Sequence, residues 1–136
     1  MRWLRRFGFM AAAVAAVVFG MGGQANAAVP PKNSGWVYTL SGSGATFFDA
    51  DLAGYPSYEK YTVCDNTSDG RGIIATFVGT SPSGYAIDRE LRDPSNNGDC
   101  AAASGNFFAD GYYVYITVCE YYGDNYVNCR QGTGVA

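Results

Sequence analysis

Tyr112-Tyr113-Val114-Tyr115-Ile116-Thr117-Val118-Cys119-Glu120 repeats with a period of two. Successive side chains of a β-strand point to opposite faces. Tyr112, Val114, Ile116 and Val118 therefore share one face, and Tyr113, Tyr115, Thr117 and Cys119 share the other. The first set is the more apolar and reads as the core face. A strand that is wet on one side belongs to an antiparallel sheet.

Working outward, the same signature recurs. Strands are expected at Trp36–Ser41, Ala45–Ala50, Tyr58–Cys64, Ile73–Gly79, Tyr85–Leu91, Asn106–Ala109, Tyr112–Glu120 and Tyr126–Arg130, all rich in Val, Ile, Thr, Tyr or Phe. Ile73–Val78 is apolar on both faces, as suits a central strand. Gly42-Ser43-Gly44, Asp69-Gly70, Ser81-Pro82-Ser83-Gly84, Asn96-Asn97-Gly98 and Asp110-Gly111 separate them, and Gly and Asn tolerate the positive φ of tight turns. Ala101-Ala102-Ala103 is too short for a helix. The fold expected is an all-β antiparallel sandwich of about seven or eight short strands, Greek-key or immunoglobulin-like.

The first 27 residues read differently. Arg2, Arg5 and Arg6 precede an apolar run from Ala11 to Phe19 and then Ala25-Asn26-Ala27, the pattern of a secretory signal peptide. The run is short for a membrane span. Cleavage before Ala28 is expected, leaving about 109 residues: a flexible Pro/Gly/Ser arm over 28–35 and a single β-sandwich domain over 36–136. The expected location is extracellular, with no membrane attachment after cleavage.

Four cysteines, at 64, 100, 119 and 129, suit two disulfides in such a compartment. Cys119–Cys129 is favoured, because a Gly123-Asp124-Asn125 turn would set them across a hairpin, and Cys64–Cys100 follows by elimination. Cys64–Cys119 with Cys100–Cys129 stays open.

Charge excludes some partners. Three of the nine basic residues leave with the leader while all twelve acids remain, a net charge of about −6. Such a surface repels phosphate backbones and anionic lipid, so no nucleic acid is expected.

Catalytic readings find little support. The chain has no histidine, which removes Ser-His and Cys-His pairs. Only Lys32 and Lys60 are available for a Ser-Lys variant. Asp49, Asp51, Asp88 and Glu90 sit near strand ends, and a glycosidase-type hydrolase would need two of them across a cleft. Asp65-Asn66-Thr67-Ser68-Asp69-Gly70 opens like an EF-hand loop, yet Thr67 and Thr76 stand where ligands are needed. A polar turn is the better reading, which leaves Asp65 and Asp69 as candidates for weak calcium binding only. Neither a cofactor nor an enzymatic activity is expected.

All eleven tyrosines lie beyond the leader, and Tyr121, Tyr122 and Tyr126 fall inside the loop closed by Cys119 and Cys129. Tyrosine gives a large amphipathic contact at low entropic cost, and a closed hairpin is pre-organised. These three are the candidate contacts for an extracellular protein, with a hydrolase inhibitor as one such role, or for a cell-wall polysaccharide. The same residues also serve as ordinary cross-strand pairs.

Thr62-Val63-Cys64-Asp65 returns as Thr117-Val118-Cys119-Glu120, each copy leading into a polar turn. Phe48-Asp49-Ala50-Asp51, Tyr61-Thr62-Val63-Cys64-Asp65-Asn66, Asp69-Gly70-Arg71-Gly72, Asn97-Gly98-Asp99-Cys100 and Val118-Cys119-Glu120 together resemble small secreted proteins of actinobacteria. The likeness runs from about Ala45 to Cys129. It implies an exported β-sandwich with two disulfides and supplies no catalytic residue. The whole reads as a secreted domain that binds rather than catalyses.

Overall fold

A computed structural model describes residues 29–136, so the expected signal peptide lies outside the described residues. Eight strands form: β1 Trp36–Tyr38, β2 Gly44–Asp49, β3 Glu59–Asp65, β4 Gly72–Thr80, β5 Ala86–Asp93, β6 Ala101–Gly105, β7 Tyr113–Tyr122 and β8 Asn125–Val135. They make two four-stranded antiparallel sheets, ordered β1-β2-β3-β6 and β5-β4-β7-β8. The chain changes sheet at β3–β4, β5–β6 and β6–β7, and the sheets face each other as a sandwich.

The core is what alternation predicts. Val114, Ile116 and Val118 point inward from β7, while Tyr113 and Tyr115 stand in solvent. Tyr112 was grouped with the inward set, but it precedes β7 and is exposed. Ile73, Ala75 and Phe77 of the central strand β4 meet Phe48, Tyr61 and Val63 of the opposite sheet. The Tyr61 and Phe77 rings lie 4.5 Å apart, and Phe108 meets Phe48 edge-on at 6.0 Å. Close approach across the sandwich needs small residues: a Cβ on Gly134 would fall 2.6 Å from the Phe48 ring.

Two expectations fail near residue 105. Asn106–Ala109 is not a strand, whereas Ala101–Gly105 is. The alanines pair with β3, Val63 opposite Ala101 and Glu59 opposite Gly105, and the neighbouring Cys64–Cys100 bridge pins that register. Phe107 and Phe108 instead cross between the sheets, and Phe108 is fully buried. Strand β8 also runs five residues past the expected Arg130, to Val135.

The bridges are Cys64–Cys100 and Cys119–Cys129, the favoured pairing. Each joins neighbouring antiparallel strands within one sheet, so neither ties the sheets together. The shared core does that, helped by hydrogen bonds. The segment expected as a flexible arm is fastened from Lys32 onward. Lys32 and Val135 exchange two backbone bonds of 2.9 Å, Asn33 Oδ1 accepts from Ala50 N–H, and Ser34 N–H donates to Phe48. It thereby links β8 of one sheet to β2 of the other.

Candidate functional site

The β7–β8 hairpin turns through Gly123-Asp124, with Tyr122 opposite Asn125 and Gly123 at positive φ. Two residues with glycine first is a favoured hairpin loop. Below the turn the register slips: Val118 pairs with Arg130 but Glu120 with Val127, so Asn128 and Cys129 together oppose Cys119. Asn128 takes this bulge at φ 52°, a left-handed conformation asparagine tolerates. The bulge turns its carbonyl to Leu40 N–H at 2.8 Å and its amide to Glu120 Oε1 at 3.0 Å.

Glu120 lies on the core face, 1% exposed. Oε1 also accepts from Ser43 Oγ at 2.7 Å and from Ser41 Oγ, and Oε2 accepts from Arg71 Nη1 at 2.6 Å. Burial alone would raise its pKa. Donation by Ser41, Arg71, Ser43 and Asn128 outweighs it and holds the carboxyl at about 2, down from 4.5. One anion thus ties the β1–β2 turn to β7 and sets the position of Arg71.

The predicted tyrosines stand on this frame. Tyr121 lies over Gly72 of β4, where a Cβ would fall 2.6 Å from its ring. The Arg92 guanidinium lies 4.9 Å from the same ring's centroid, donates to Tyr126 OH at 3.1 Å and pairs with Glu90 at 2.7 Å. Arg71 lies 5.5 Å from the Tyr122 ring centroid. Tyr122 and Tyr126 keep 46% and 50% of their surface in solvent. Arg71 and Arg92 were not anticipated, because only sheet register brings β4 and β5 under the tip.

A second aromatic group was also missed, although its signal was available. Trp36-Val37-Tyr38 alternates, so with Val37 buried both rings face outward. The Trp36 ring lies 5.4 Å from that of Phe47 on β2, tilted by 51°. Tyr113 and Tyr115, 6.5 Å apart, form a smaller pair on the outer face of the other sheet.

Of the candidate catalytic carboxylates only Asp88 and Glu90 share a face, next to each other along the exposed side of β5. Asp49 follows inward Phe48 and belongs to the outer face of one sheet, whereas Asp88 and Glu90 are exposed on the other. Asp51 lines a 290 Å³ cleft with Asp110, beside Pro30, Pro31, Pro56 and Ala136, and Asp110 accepts from Ser57 Oγ at 2.7 Å. Lys32 is in the N-terminal link, and Lys60 is on an outer face. Asp65 and Asp69 shape their own loop: Asp65 Oδ1 accepts from Thr67 N–H and Asp69 Oδ1 from Arg71 N–H, both at 3.0 Å. Among the described residues no three Asp, Glu, Cys or His side chains are grouped to hold a metal. No family model matches the chain, and neither does any curated protein.

Proposed function

We propose that the chain is an exported, non-catalytic binding domain that recognises an extracellular protein through the β7–β8 tip. The observation that carries this reading is the convergence of Tyr121, Tyr122 and Tyr126 with Arg71 and Arg92 at one rigid end. Tyrosine and arginine dominate the energetic centres of protein interfaces. The Cys119–Cys129 bridge and the Glu120 bonds fix these side chains before any partner arrives, which lowers the ordering cost of association. The leader pattern and two disulfides support export. Capture from the producing culture's secretome on the oxidised protein tests it. A partner retained by the parent and lost by a Tyr122→Ser/Tyr126→Ser variant supports the reading; equal retention by both rejects it.

The exposed Trp36 and Tyr38 rings, with Phe47 beside Trp36, favour a second reading, a cell-wall polysaccharide laid on the β1–β2 face. Depletion onto insoluble cellulose, chitin or cell wall, saturable and blocked by soluble fragments, distinguishes it. Trp36→Ala would then abolish the depletion, and the tip variant would not.

A further inference from the structure

We propose that β5 docks a second copy of this chain, strand against strand, in antiparallel register about a two-fold axis at Leu91. β5 is an edge. All of its residues from Ala86 to Asp93 pair with β4 on one side, and among the described residues no strand pairs with the other side. The ladder runs without a register shift, and the strand holds neither proline nor glycine. One row of its backbone N–H and C=O groups is therefore left open, a template for another strand.

Charge is the usual way to close such an edge, and β5 carries Asp88, Arg89, Glu90, Arg92 and Asp93. Whether these residues repel a copy of themselves depends on register. A two-fold axis normal to the sheet sets one residue opposite its own copy and pairs the others symmetrically about it. An axis at Asp88, Arg89, Glu90, Arg92 or Asp93 sets that charge against itself, and an axis at Ala86 or Ile87 brings no opposite charges together. The axis at Leu91 is the exception. It sets Glu90 opposite the second copy's Arg92, and Arg89 opposite the second copy's Asp93, with no like charges opposed. Glu90 and Arg92 already pair at 2.7 Å within the chain, so their charges would alternate in sign around the axis. Arg89 has no ion-pair partner among the described residues. The second observation is apolar: Leu91, Ile87 and Phe107 are only partly buried where they pack against the core. Leu91 against its own copy would cover that border, and such cross-strand contacts add to the backbone bonds.

The test is sedimentation equilibrium of the oxidised protein at rising concentration, with amide exchange on the same samples. The average mass should climb from one chain towards two, and alternate β5 amides should gain protection with concentration while those of β6 and β8 do not. A chain that stays monomeric up to about 1 mM overturns the proposal. So does a dimer that leaves β5 exchange unchanged. Glu90→Arg sets arginine opposite arginine and should weaken association about tenfold. The exchanged variant Glu90→Arg/Arg92→Glu makes the signs opposite again and should recover it. Association that Glu90→Arg leaves as strong as in the parent, or that the exchanged variant does not recover, overturns the register.

Discussion

Each end of the sandwich holds a buried glutamate, and the two are in opposite condition. Glu120, at the end that carries both disulfides, has four side-chain donors on its carboxylate and a pKa of about 2. Glu59, at the start of β3, is fully buried as well. Its Oε2 accepts from Phe107 N–H at 2.8 Å and Phe108 N–H at 3.4 Å, and Oε1 has no partner. Burial pushes its carboxyl above the ordinary 4.5; the two amides pull it part of the way back, and Asp110 opposes them. Depth of burial is therefore not what sets the charge state. The number and charge of the donors is. A satisfied anion fastens two sheets, whereas the half-satisfied one holds only the Phe107–Phe108 crossing.

The largest effects should come from the bridged end. Replacing Cys64 and Cys100 by Ala should cost about 4 kcal/mol, and replacing Cys119 and Cys129 about 3 kcal/mol, because the first bridge closes the longer loop. Urea unfolding measures both, and a reversed order would mean that the Asn128 bulge depends on its bridge. Glu120→Ala should cost about 3 kcal/mol by leaving Ser41, Ser43 and Asn128 without an acceptor. Glu59→Gln should change stability at pH 7 by about 1 kcal/mol or less, since it removes a charge that lacks a cation. Equal losses for the two would break the contrast.

Acidity sharpens it further. The depressed pKa of Glu120 contributes stability in full above about 4.5, lost as pH falls towards 2, about 3 kcal/mol in all. Glu59 and Asp65 act with the other sign. Their folded pKa values are raised, so stability falls as pH climbs through the unfolded value of about 4 towards the folded one. Denaturation curves at pH 3, 5 and 7 should show the Glu120→Gln variant losing less than the parent on going from pH 5 to pH 3. Glu59→Gln should flatten the opposing limb. Another small effect concerns Asn128. Asn128→Gly keeps the left-handed backbone and loses only the bond to Glu120, about 1 kcal/mol, and Asn128→Ala should cost more through strain at positive φ.

Strand patterning was legible because alternation is local: Val114, Ile116 and Val118 point inward as their spacing requires. The Cys119–Cys129 bridge was legible for the same reason, since the hairpin brings its own strands together. The repeated tetrapeptides are also now physically intelligible. Val63 and Val118 fill the core, and Asp65 and Glu120 turn inward one residue after a bridged cysteine. The inward place of Glu120 could have been read from the alternation that set Val118 inward. Ala101–Gly105 escaped because small residues carry little strand signal; β3 and a disulfide make it a strand. Phe107 and Phe108 misled because apolar runs mark burial without marking how the backbone is held.

The sequence by itself determined the all-β class, most strand positions and the central place of β4, and it favoured the hairpin disulfide that the structure contains. Each follows from side-chain direction and turn chemistry within a few residues. Only the tertiary structure decided which charges meet. Arg71 and Arg92 came to lie against Tyr121, Tyr122 and Tyr126, Glu120 gathered donors from Ser41 to Asn128, and the Asp93 carboxylate accepted the backbone N–H of Asp65. Those meetings depend on register and on which strands change sheet. Both are set by the energy of closing the whole sandwich, which no single segment carries.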